Sequence, residues 1–149
     1  MSIFPDHASQ VQDLEALADS LSASADELHA RLMRALRRQQ PMAAGLSQGA
    51  AQALFENEVA LRQQANNLYV DAAAITLRGM GATQQELLEL AAQARRQIRD
   101  INVTRDLVGI SADLLGMAAA VAAMHPERLL TSVQNLRARV ASLHDHKSA

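Results

Sequence analysis

Apolar residues recur along this chain at alternating intervals of three and four, the spacing that gathers side chains onto one stripe of an α-helix. From Asp6 to Gln39 the stripe is Val11, Leu14, Ala18, Leu21, Ala25, Leu28, Leu32 and Ala35. From Ser47 to Arg78 it reads Ala51, Leu54, Glu58, Leu61, Ala65, Leu68, Ala72 and Ile75, with one carboxylate on an otherwise apolar seam. A third stripe begins after Gln84 and runs through Leu87, Ala91, Ala94, Ile98, Ile101, Arg105, Val108, Ala112, Leu115, Ala119 and Ala122, again with one charge. The last carries Leu129, Val133, Leu136, Val140 and Leu143 behind Pro126, a residue favoured in the first helical turn.

Breaks between the stripes fall where helix-stopping residues stand. Pro41 to Gly49 separates the first two, and Gly79 to Gly81 supplies residues able to take positive φ. Thr83-Gln84-Gln85-Glu86 matches a capping box and marks the start of the third. The pattern predicts helices over about 6–39, 47–78, 84–124 and 126–145 in a single domain spanning 1–149. Asn102-Val103-Thr104 is the weakest helical point of the third stretch, because Asn and β-branched residues rank below Ala in propensity, and a kink is expected there. Short connections imply antiparallel neighbours. The expected architecture is all-α, an antiparallel up-and-down four-helix bundle with coiled-coil-like packing.

Folding the second and third helices about the glycine turn sets Ile75 beside Leu87, Leu68 beside Ala94, Leu61 beside Ile101, and Glu58 beside Arg105. The same construction brings His29, and a carboxy-terminal acid or imidazole between His144 and His146, to that level. The candidate constellation is therefore a buried polar layer of His29, Glu58 and Arg105, read as a device that sets register. Carboxylate-bridged dimetal bundles need paired Glu-x-x-His motifs, which the chain lacks, and an arginine in the layer repels a cation.

Composition narrows the function classes. The 149 residues contain no cysteine, which removes disulfides, thiolate nucleophiles and thiolate metal sites. A formal net charge of −2 gives no field to attract nucleic acid or an anionic membrane, and aromatic residues make up only 2% (Phe4, Phe55, Tyr69). Leu107 to Met124 is nearly all apolar but short for a bilayer and interrupted by Asp113, so no membrane span is expected. The start Met1-Ser2-Ile3-Phe4-Pro5-Asp6 has neither a basic nor an apolar signal region, and a cytoplasmic location is expected.

No Gly-x-Ser-x-Gly, His-Glu-x-x-His or phosphate-loop sequence occurs, and the chain is read as no enzyme and as carrying no cofactor. The expected function is a non-enzymatic helical protein–protein interaction module, an adaptor, chaperone or assembly subunit that self-associates as a homodimer. The alternative is a bundle binding a small ligand, metal or haem, with His29 or His125 and a methionine such as Met33, Met117 or Met124 as ligands. A third helix of about 41 residues against a second of about 32 should overhang by nine residues, roughly 14 Å. That overhang would expose Met117, Ala120, Met124, Leu129, Leu130 and Val133 as the interface; the alternative is a break at Asn102–Thr104 that folds the terminal hairpin back onto the bundle.

Overall fold

The computed structural model describes residues 7–38 and 47–148, and among them the chain is all-helical, with five helices and no strand. These are α1 (His7–Arg38), α2 (Gln48–Asp71), α3 (Gln84–Asp100), α4 (Thr104–Ala122) and α5 (Pro126–Ser148). Five helices replace the four expected because the stretch 84–124 is divided. Ile101, Asn102 and Val103 leave the helix, and Ile101 takes φ −65° and ψ 136°, an extended conformation that a β-branched residue adopts readily.

Propensity alone makes a weak point; Arg31 of α1 makes it a break. Its Nη1 donates to the carbonyls of Ile98 (3.0 Å) and Arg99 (2.7 Å), and its Nη2 to that of Ile101. The carbonyls at a helix end lack intrahelical donors, and a guanidinium supplies donors together with a positive charge at the negative end of the helix dipole. Burial among these groups, followed by repulsion from Arg34, holds the Arg31 pKa below its ordinary value.

A second difference lies at the end of α2. The helix stops at Asp71 rather than near Arg78, the chain turns through Ala72–Ala74, the Ile75 N–H still bonds the Asp71 carbonyl at 3.0 Å, and Ile75-Thr76-Leu77 then leaves the helix. The primary amide of Gln10 clasps this segment, Nε2 donating to the Ile75 carbonyl (2.9 Å) and Oε1 accepting from the Leu77 N–H (3.4 Å). One side chain thus gives a donor and an acceptor to backbone groups that have left the helix, while Ile75, Leu77 and Met80 bury their side chains. Gly79 (φ 76°) and Gly81 (φ 82°) take the left-handed conformations expected of them. α3 then starts where the capping signal placed it, with Thr83 Oγ1 accepting from the Glu86 N–H at 3.1 Å. The reciprocal bond of a capping box is replaced by one from the Thr83 hydroxyl to the Glu86 carboxylate.

α1 packs against α2 and α3, α2 against α4, α4 against α5, and α5 returns to α3, so the helices close a ring around one core of leucine and alanine. α1 and α2 are antiparallel, as three cross-helix pairs show: Asp19 with Tyr69, Asp26 with Arg62, and His29 with Glu58. α4 and α5 form a hairpin in which Arg139 lies across Gly109 to reach Asp113 at 2.5 Å. A bond from Arg137 to Glu86 (3.3 Å) ties the outer helix of that hairpin to α3.

This return of the hairpin overturns the expected overhang. Met117, Ala120, Leu129 and Val133, assigned above to an intermolecular interface, are buried within the chain, and only Met124 and Leu130 remain exposed. The physical reason is the break at Ile101–Val103: a continuous helix would have carried these residues past the end of α2, whereas two helices let them turn into the core.

Candidate functional site

The polar layer forms only in part, and with a different partner. Glu58 sits on α2 with 6% of its surface exposed; its Oε1 lies 3.0 Å from Nδ1 of His29, and its Oε2 accepts from Nε of Arg62 at 3.2 Å. An ionised carboxylate only accepts, so Nδ1 of His29 carries the proton in this contact. Arg62 reaches on to Asp26 of α1 at 2.8 Å, and that bond is the chief reason its pKa is raised. Arg105 does not join the group. It is exposed on the first turn of α4, because the break ahead of Thr104 rotates the following residues off the seam that a continuous helix would have kept. His144 is exposed as well, and the side chains of Asp145 and His146 lie outside the described residues.

The cluster is therefore an edge lock between two helices rather than a layer through the interior. Its imidazole is half exposed, and two clefts among the described residues lie elsewhere. One, of about 500 Å³, is bounded by Gln10, the 73–78 segment and the start of α3, where the amide of Gln10 and the hydroxyl of Thr83 are already committed to backbone groups. The other, of about 580 Å³, lies open beside the α4–α5 turn.

Of the residues weighed as metal or haem ligands, His29 and His125 have structural partners, Met117 has no access, Met33 is half-buried and Met124 is exposed at the end of α4. Nδ1 of His125 accepts from the Arg128 N–H at 3.1 Å and so caps α5, and Met117 is fully buried. No group of three His, Cys, Asp or Glu side chains among the described residues is placed to share a metal ion. No helix among them is long and apolar enough to cross a membrane.

The surface feature that stripe counting missed is the outer face of α2. Phe55 (52% exposed), Val59 (40%), Tyr69 (40%) and Val70 (72%) all point away from the core. At about 100° per residue they fall within an arc of about 100°, together with Arg62 and Asn66. The formal charges on the exposed side of α2 are few: Glu56 accepts from Gln52 at 3.0 Å, Arg62 is neutralised by Asp26 and Glu58, and Asp71 lies at the helix end. Tyr69 donates its hydroxyl to Asp19, which fixes the ring at the α1 edge of the face and raises the phenol pKa. The signal was present in the sequence as apolar residues outside the heptad stripe, Phe55, Val59 and Val70, on a helix whose stripe was already complete.

Comparison of the chain with protein-family models, with curated proteins and with solved structures finds no match in any of the three.

Proposed function

We propose that this chain is a non-enzymatic helical protein–protein interaction module, an adaptor, chaperone or assembly subunit, whose contact surface is the outer face of α2. One observation carries the reading. The core is filled by leucine and alanine, while both aromatic residues among the described ones stand outside it on a single, weakly charged helix face. Aromatic enrichment with depletion of charge is the composition that separates protein contact surfaces from the remaining surface, and unsupported exposure of such side chains is costly in solubility.

The remaining helices then serve as a frame. The Asp19–Tyr69, Asp26–Arg62 and His29–Glu58 pairs hold α2 in fixed register on α1, so the face is presented preformed and loses little conformational entropy on binding.

The test is a tagged chain and its Phe55→Glu/Val70→Glu variant, recovered from the cell of origin. Both should show the same helical circular dichroism, and proteins retained by the first should be lost from the second. Equal retention by both would refute the assignment of the face. A stoichiometric metal or a haem absorption band in the purified chain would replace this reading with the ligand-binding one.

A further inference from the structure

We infer that the outer face of α2 pairs with the same face of a second copy of this chain, antiparallel, about a two-fold axis passing between Gln63 and Asn66. This rests on reading the face as a contact surface and names its occupant. Val59, Gln63, Asn66 and Val70 stand at i, i+4, i+7 and i+11 and form the ridge at the centre of the exposed side of α2. Reversal about the midpoint between Gln63 and Asn66 lays Val59 on Val70 of the second copy and Gln63 on its Asn66. Apolar meets apolar and primary amide meets primary amide, and symmetry makes every contact twice. Each amide offers both donors and an acceptor, so the central pair is satisfied whichever way either amide is turned.

The flanks agree with this register. Phe55 comes over the exposed Ala73–Ala74 turn of the other copy, where short side chains leave room for a ring. Glu56 falls opposite Ala73, and Arg62, already neutralised by Asp26 and Glu58, opposite Asn67. Asp71 falls level with Glu58 of the other copy, but the two leave their helices on opposite flanks, each about 110° from the centre of the ridge, so no like charges meet across the face, and nothing on it selects an acidic or a basic partner over a copy of itself.

Size sets the strength. From Phe55 to Ala74 the strip is about 28 Å long and roughly 10 Å wide, which buries on the order of 550 Å² over both copies. Standard stable interfaces exceed about 1,200 Å², so the pairing belongs to the weak, reversible class.

Sedimentation equilibrium of the full chain tests it. The mass should climb from monomer toward dimer between about 10 µM and about 1 mM. Val59→Lys or Val70→Glu alone should weaken association at least roughly tenfold with the circular dichroism unchanged, and an equimolar mixture of the two variants should recover it. Recovery is the decisive result, because only this register sets the introduced ammonium against the introduced carboxylate. A monomer at every concentration, a dimer indifferent to both substitutions, or a mixture no tighter than either variant would overturn the inference. Should the chain stay monomeric while its Phe55→Glu/Val70→Glu variant still loses another protein, self-pairing fails and the contact-surface reading stands.

Discussion

Replacing Arg31 by methionine should unlock the junction between α3 and α4. The guanidinium bonds three carbonyls there, two through part-buried contacts to Ile98 and Ile101 and one through an exposed contact to Arg99. A hydrogen bond to a charged group contributes about 1.5–3 kcal/mol net. The three bonds share one side chain and are not additive, and the exposed one can be replaced by water. Counting only the two part-buried bonds, each at the lower bound, gives about 3 kcal/mol. Ordering the long side chain offsets about 1 kcal/mol of that, which leaves a loss of about 2 kcal/mol for Arg31→Met.

Urea unfolding followed by circular dichroism measures it. With a slope of about 1–3 kcal/mol per molar urea for a domain of this size, the midpoint should fall by roughly 1 M. Arg31→Lys should fall about half as far, because an ammonium keeps the charge at the helix end but cannot fork across three carbonyls. Arg34, whose Nε among the described residues contacts only the carbonyl of Ala30 in its own helix at 3.4 Å, is the control: Arg34→Met should stay within about 0.5 kcal/mol. Amide exchange at Ile101–Thr104 should accelerate in Arg31→Met while that of the α1–α2 pair holds. If the methionine variants at 31 and 34 are equally silent, Arg31 only decorates a break that local propensity already makes.

Three other substitutions probe separate parts of the same frame. Tyr69 is the chain's single tyrosine and there is no tryptophan, so ultraviolet absorbance reports its phenol directly. The bond to Asp19 raises that pKa; the titration should lie above the ordinary value of about 10 and return to it in Asp19→Asn. Since the folded chain holds the phenolic proton more tightly than the unfolded one, the contribution is complete below about pH 10 and is lost as pH rises through the folded pKa. Met124 ends α4 in a left-handed conformation (φ 51°), with its N–H bonded to the Val121 carbonyl and that of His125 to the Ala120 carbonyl, both at 3.1 Å. Met124→Gly should therefore stabilise by about 0.5–1 kcal/mol in thermal unfolding, and a loss would show that the methionine side chain is worth more than the strain. A Cβ at Gly109 would lie 2.4 Å from Nη1 of Arg139, so Gly109→Ala should be nearly neutral alone, trading helix propensity against the Asp113 bond, but should stabilise by about 1 kcal/mol once Arg139 is alanine. Equal effects in both backgrounds would mean that the guanidinium does not need the missing methyl.

Local signals were readable in the chain because their causes are local. The capping threonine at 83, the left-handed glycines at 79 and 81 and the Pro126 start each depend on a few neighbouring atoms, and each stands where the pattern put it. The two misplaced helix ends have distant causes. α2 gives way to the Ile75–Leu77 segment because Gln10, 65 residues away, offers its backbone another partner, and α3 ends where Arg31, some 70 residues away, collects its carbonyls. Neither residue is unusual in sequence, and a polar side chain on a helix flank gives no sign of which backbone it will meet.

The candidate site divides along the same line. Glu58 and His29 could be placed at one level because both depend on the α1–α2 register, which follows from the two seams. Arg105 could not, since its level was counted along a helix assumed unbroken through Ile101–Val103. One error in continuity also moved the expected interface: the residues given to it follow the break, and the break turns them inward. With cysteine and tryptophan absent and aromatic residues at 2%, a leucine–alanine core can be closed without rings, so a ring left outside needs a cause of its own. Phe55 and Tyr69 both stand outside, four turns apart on one helix and flanked by Val59 and Val70. The Asp19 bond holds Tyr69 at the edge of that face, and the contact surface proposed above is the reading that takes in Phe55, Val59 and Val70 with it.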